Sequence, residues 1–205
     1  MTNQPRTNTF KNDVEIVSKN TVFQGYFRMD EYRLHFKLFE GGWSDEVIRE
    51  VFKRGQVAAV LPYDPLLKKV VLLEQFRIGA IKDERSPWLL EIVAGVLQEE
   101  ETPIELAHRE SREEAGLEVQ ELIPIYNYWV SPGGCSERVA LFCAKVDASK
   151  AGGVHGLADE NEDIKVHVFD VEEAFEMVRN GMINNALGII SLQWLELNQD
   201  KIFRS

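Results

Sequence analysis

Residues 95–117 read GVLQEEETPIELAHRESREEAGL, a glycine loop that runs straight into a segment with helix boundaries at both ends. Thr102 with Glu105 three residues later forms a capping box, Pro103 suits the first helical position, and Gly116 suits the C-terminal cap. The spacing predicts a helix whose inward stripe is Ile104, Ala107, Ser111 and Ala115, mostly small residues suited to close packing on a sheet. The glutamates are expected off that stripe. Glu110, Glu113 and Glu114 stand at i, i+3 and i+4, so a helix holds them on one side within about 5–6 Å of one another. Exposed, such a pair costs a few tenths of a kcal/mol; half-buried, at an effective dielectric near 20, it approaches ~3 kcal/mol. A divalent cation would turn that repulsion into a site.

Strand patterns flank this helix on both sides. Val57–Tyr63 is almost continuously apolar, as for a strand covered on both faces, and Val70–Phe76 returns after the Asp64-Pro65 turn. Trp88–Val93 reads as one further strand feeding Gly95, with others near 122–130, 137–146 and 164–169. Asp170 with Glu173 predicts the cap of a second helix, and Asn185–Leu197 an amphipathic C-terminal one. Strands with helices on both sides predict an α/β fold, an α/β/α sandwich around a mixed sheet. Upstream, residues 14–39 read as strands broken near Gly25, and 45–52 as another. The expected division is a small antiparallel β subdomain over 1–52 and a main domain over 53–205.

Composition narrows the class. The 205 residues are 44% hydrophobic and 28% charged, enough to bury a core beneath a charged surface. A net charge of −11 argues against nucleic acid or an anionic membrane as partner. Cys135 and Cys143 have neither metal-ligand spacing nor a disulfide framework, and the N-terminal MTNQPRTNTFKND lacks an apolar signal core. A cytoplasmic location is the expectation. His35, His108, His155 and His167 are scattered and receive no role, and Trp43, Trp88, Trp129 and Trp194 are expected in packing.

The spacing Gly95, Glu101, Arg109-Glu110, Glu113-Glu114, Gly116-Leu117 resembles the signature of the Nudix hydrolases, complete except that Ser111 stands where an aliphatic residue is usual. The whole chain is similar to the bacterial branch of that family that acts on ADP-ribose. Gly25-Tyr26-Phe27, Ile48-Arg49-Glu50, Glu74-Gln75-Phe76-Arg77, Ser131-Pro132-Gly133-Gly134, Ser136-Glu137-Arg138 and His155 through Asp163 carry that likeness. The resemblance implies a Nudix-type sandwich with an N-terminal β subdomain. It also implies Mg²⁺-dependent hydrolysis (Mn²⁺ as a substitute) of ADP-ribose to AMP and ribose 5-phosphate, by a homodimer that exchanges its N-terminal domains.

Position by position, the likeness makes Glu110 and Glu114 the main metal ligands, joined by Glu113, Glu162 and the backbone carbonyl of Ala94. Gly95, Glu101, Arg109 and Gly116 are structural in the box. A carboxylate bound to metal is a poor base, so the base is sought outside the helix, among Asp159 to Asp163; the resemblance selects Glu160. Tyr26, Phe27, Arg49, Glu50, Arg77, Val96, Ser131, Pro132, Gly133 and Glu137 are the expected substrate contacts. Taken alone, these residues have plainer readings: Tyr26 and Phe27 as packing or interface residues, and Arg77 as half of a buried salt bridge.

Overall fold

The computed structural model describes residues 10–157 and 161–203. The chain divides into two compact units, Met1–Gly55 with Trp129–Glu137, and Gln56–Tyr128 with Arg138–Ser205.

In the first unit a short helix α1 (Phe10–Asp13) leads into a three-stranded antiparallel sheet of β1 (Val14–Gln24), β2 (Arg28–Phe36) and β3 (Val47–Lys53), in that order. Gly25-Tyr26-Phe27 makes the first hairpin turn, closed by Gly25 N–H donating to Phe27 O at 2.9 Å. Asp30 on β2 is fully buried and held by Thr21, Lys19 and Arg28, which satisfy a carboxylate that burial alone would disfavour. Ile16, Val22 and Phe23 on β1 are half or more exposed. Both apolar cores lie in the second unit.

The second unit comprises β4 (Gln56–Asp64), β5 (Lys69–Phe76), β6 (Trp88–Glu91), β7 (Val93–Val96), α2 (Pro103–Ala115), β8 (Glu121–Trp129, whose last residue falls in the first unit), β9 (Arg138–Lys145), β10 (Val154–His155), β11 (Ile164–Asp170), α3 (Val171–Arg179) and α4 (Ala186–Asn198). The sheet runs β10-β11-β5-β4-β9-β8, with β6 paired to β5 and β7 to β4. It is mixed, because β4 and β9 are parallel while β5, β7 and β11 pair antiparallel. The two-residue period of β4 sends Val57, Ala59, Leu61 and Tyr63 to one face and Ala58 and Val60 to the other. The odd set meets Phe175 of α3 and Leu192 and Leu195 of α4; the even set meets Leu106 and Ala107 of α2. Two cores on opposite faces of one sheet make the expected α/β/α sandwich.

Several local expectations are corrected. Residues 88–96 form two strands, β6 on β5 and β7 on β4, with buried Ile92 at the step between partners. No Gly or Pro marks that step, so an apolar run hides it. On α2, Ile104 is 56% exposed and Leu106, beside Ala107, is buried instead, so the buried face is rotated from the expected stripe. Asp170 precedes α3 without a side-chain capping bond; its carboxylate pairs with Lys69 at 2.9 Å instead. α4 is apolar around much of its girth, from Leu187, Ile189 and Ile190 to exposed Leu197, so it is not a two-faced helix. Trp43, Trp88 and Trp129 are each about half exposed, while Trp194 packs against the core.

Candidate active site

The site grows from the junction of β7, its glycine and α2. All predicted helix signals are in place. Thr102 accepts from Glu105 N–H at 3.3 Å while the Glu105 carboxylate accepts from Thr102 N–H at 2.9 Å; Gly116 closes the helix in the left-handed region at φ 63°. Ser111, the departure from the usual aliphatic residue, is fully buried, and its hydroxyl donates to Ala107 O at 2.7 Å. The hydroxyl is therefore satisfied within the helix and costs little.

One guanidinium organises the charged side. Arg109 reaches Glu101 through Nε and Nη2, at 2.9 and 3.2 Å, and through Nη1 reaches Glu110 at 2.9 Å and Glu113 at 2.7 Å. The Arg109 hydrogen bonds hold the Glu101 carboxyl below its usual value. The second Glu101 oxygen takes Gln98 N–H at 3.0 Å, which ties the loop to the helix.

Glu114 contradicts the expectation that the glutamates avoid the packing face: it is 3% exposed. Its carboxylate accepts Ala94 N–H at 3.0 Å. Burial, reinforced by the charges of Glu110 and Glu162, pushes its pKa up to about 8 against the opposing pull of Ala94 N–H and Arg77. Burial also raises Glu110, with Glu113 and Glu162 adding to the effect and Arg109 opposing it. Gly95 leaves the room that Glu110 occupies, because a Cβ on it would overlap the Glu110 carboxylate and stand 2.7 Å from Glu110 Cγ. Glu162 accepts Leu157 N–H at 3.2 Å. Glu160 lies outside the described residues.

These donors are all oxygens; Glu110 and Glu114 are desolvated and repel each other and Glu162, the chemistry a hard divalent cation rewards. Among the described residues no three carboxylate, histidine or cysteine side chains converge closely enough to hold an ion as they stand. Arg109 engages Glu110 and Glu113. Arg77 directly follows β5 with its side chain 44% exposed; its Nε pairs with Glu91 at 2.6 Å, so the salt bridge exists but is not buried. Glu91 was invisible to sequence reasoning, since it sits inside an apolar run. Half-exposed Val96 follows Gly95 and closes β7.

In the first unit, Tyr26 is 96% exposed and packs edge-on against Phe27, which does the same on Phe52. Arg54 lies 5.3 Å from the Phe27 ring centre and pairs with Glu137 at 2.9 Å, so it joins two of the expected substrate contacts. Its sequence context, Arg54-Gly55, signals only a turn. Ser131, Pro132 and Gly133 form an exposed turn fastened to β3 through Phe52 N–H and Gly134 O at 2.8 Å. Arg49 and Glu50 lie exposed on β3.

The NUDIX domain family matches residues 53–186. The chain belongs to the Nudix family of hydrolases. It is 49% identical over 192 residues to the ADP-ribose pyrophosphatase of Escherichia coli (strain K12), covering 94% of this chain and 92% of that one. The ADP-ribose pyrophosphatase of Haemophilus influenzae is 45% identical over 94% and 90% of the two chains, and the GDP-mannose pyrophosphatase of Cronobacter sakazakii 34% over 90% and 96%. A solved structure titled an ADP compounds hydrolase superposes with a TM-score of 0.67, covering 90% of this chain and 95% of that one at 18% identity, and supports the fold.

The buried Nudix glutamate has a consequence for stability. A group whose folded pKa is raised contributes stability that is full below its unfolded value and lost as pH rises through the folded value. For Glu114 that window runs from the ordinary glutamate value of 4.5 to about 8. Urea denaturation in EDTA is therefore expected to show stability falling between pH 5 and 8, with a slope from this group approaching about 1.4 kcal/mol per pH unit. Glu114→Gln should remove this group's share of the slope. Glu110, also raised by burial, adds in the same direction above its ordinary value of 4.5, whereas Asp30, Glu101, Glu105 and Asp147, all depressed, act with the opposite sign below their ordinary values.

Proposed function

We propose that this Nudix hydrolase cleaves ADP-ribose to AMP and ribose 5-phosphate by attack of water on the pyrophosphate. The observation that carries the reading is the buried Glu114 beside Glu110 and Glu162, at the junction of β7 and α2. The likeness to pyrophosphatases of ADP-ribose supports the choice of substrate. In this reading Glu110, Glu114, Glu113, Glu162 and the Ala94 carbonyl hold Mg²⁺, or Mn²⁺ in its stead. A bound divalent ion supplies charge neutralisation and Lewis acidity at the phosphate oxygens.

The residues do the remainder. Glu160 takes a proton from the attacking water as the phosphoanhydride P–O bond breaks. Glu101 and Arg109 keep the loop and helix in register. Arg77, oriented by Glu91, presents a planar fork to phosphate or ribose oxygens. Tyr26 or Phe27 stacks on adenine, with hydrogen bonds from Arg49 and Glu50; Val96 borders the metal loop, and Ser131, Pro132, Gly133 and Glu137 meet the terminal ribose. The active form is a homodimer with exchanged N-terminal domains, a reading supported by the exposed apolar residues of β1. No described helix is long and apolar enough to cross a membrane, and a cytoplasmic location without nucleic-acid or membrane partners completes the proposal.

Side-by-side kcat/KM values for ADP-ribose, ADP-mannose, GDP-mannose and NADH, with Mg²⁺ and with EDTA, test it. ADP-ribose should lead by tenfold or more, about 1.4 kcal/mol of discrimination, and EDTA should abolish turnover. GDP-mannose in the lead would instead favour the chemistry named for the 34% identical relative. Glu160→Gln should remove the acidic limb of the pH–rate profile while leaving Mn²⁺ affinity within about threefold, and reduce kcat by ~10²–10⁴; an unchanged profile would remove Glu160 from the role.

A further inference from the structure

The segment after β10 is fastened to the C-terminal end of α2. Gly156 N–H donates to Glu113 O at 3.3 Å, satisfying one of the last-turn carbonyls that a helix leaves without an internal partner. The His155 ring lies against Gly116 so closely that a Cβ there would stand 2.7 Å from His155 Cε1. Ring nitrogen Nε2 sits 2.8 Å from Gly152 O, which fixes the ring in place. On the other side, Gly156 has φ 101° and passes so near Glu162 that a Cβ on it would stand 2.6 Å from Glu162 Cβ and 3.1 Å from Glu162 O. Leu157 N–H then donates to the Glu162 carboxylate. These contacts bind helix, glycine and glutamate into one chain, and the Glu162 charge acts on both Glu110 and Glu114.

We propose that His155 and Gly156 are positioning residues: a clasp, seated in the socket of Gly116, that sets where Glu162 stands relative to the carboxylates of α2. The proposal rests on the reading above that Glu162 serves the loaded site. It also gives Gly116 a second duty. The left-handed cap alone would accept asparagine, but any side chain there meets the His155 ring.

Four full-length proteins test the clasp: Gly156→Ala, Gly153→Ala, Glu162→Gln and the double variant Gly156→Ala/Glu162→Gln. Each is measured for kcat and KM on ADP-ribose, for Mn²⁺ affinity by electron paramagnetic resonance of the free ion, and for Tm. Gly153 is the control, because its φ of 89° carries comparable backbone strain while its nearest neighbour is His155 Nε2 at 3.7 Å. A misplacement of an ångström costs on the order of 10²-fold, so Gly156→Ala should lose 10- to 100-fold in kcat, weaken Mn²⁺ binding, and leave KM within threefold. Gly153→Ala should share the loss in Tm that backbone strain brings but stay within threefold of wild type in kcat, KM and Mn²⁺ affinity. The double variant should be no worse than Glu162→Gln, since two groups acting as one are not additive.

If Gly156→Ala fails to fold, His155→Ala, which empties the socket and keeps the backbone, should still lower kcat and Mn²⁺ affinity together. Equal losses of kcat and Mn²⁺ affinity in Gly153→Ala and Gly156→Ala, or additive losses in the double variant, overturn the clasp while Glu162 keeps its role. A Glu162→Gln protein with wild-type rate and Mn²⁺ affinity overturns the Glu162 assignment itself, and the clasp with it.

Discussion

Glu114→Gln is expected to lower kcat by a thousandfold or more while making the EDTA-treated protein more stable at pH 8. The two effects share one cause. The carboxylate is kept almost fully out of water beside Glu110 and Glu162, so its negative charge is costly until a cation offsets it. Glutamine has the same length, can still accept Ala94 N–H through its amide oxygen, and carries no charge to desolvate. Losing an anionic ligand removes several kcal/mol of transition-state stabilisation, and about 1.4 kcal/mol is one decade of rate. Measuring kcat with Mg²⁺ alongside urea denaturation in EDTA separates this from a structural role. A structural glutamate would lose stability on replacement; this one should gain it. A rate near wild type would refute the metal assignment.

The second large effect is expected from Gly95→Ala. Its backbone lies within β7, opposite Ala58 on β4, and has no positive φ, so alanine suits the strand as well as or better than glycine. The added methyl nevertheless occupies the space of the Glu110 carboxylate. The flexible side chain will yield before the paired strand, swinging Glu110 off its position. We expect Tm to change little, Mn²⁺ affinity to fall, and kcat to drop by about 10²-fold, the usual cost of an ångström's displacement. Gly79→Ala, with open space around it, serves as the control and should match wild type. A Gly95→Ala enzyme with normal Mn²⁺ affinity would show that Glu110 does not contribute as assigned.

The box was legible because its signals are local. Thr102, Glu105, Pro103 and Gly116 specify helix ends through contacts a few residues apart, and the apolar runs of β4 and β5 declare burial on both faces. What escaped was set by distant partners. The step at Ile92 depends on which neighbour each half of the run finds, β5 or β4. Glu114 is three and seven residues on from the inward Ser111 and Ala107, so helical spacing allowed its burial, but its residue type and its place beside Glu110 and Glu113 pointed outward. Asp170 has the residue type of a cap, yet Lys69 on the neighbouring strand competes for it. Glu91 and Arg54 carry no motif; their parts become visible only when Arg77 and Glu137 are found at the other end of each ion pair.

Arg109 bears on the order of events in making the enzyme. A built-in cation already joins Glu101, Glu110 and Glu113, so the repulsion among those three is offset without an imported ion while the chain is folding. Small zinc domains cannot acquire structure until metal arrives. Here acquisition of structure and acquisition of metal are expected to be separable, with the chain folded in EDTA before any divalent cation binds.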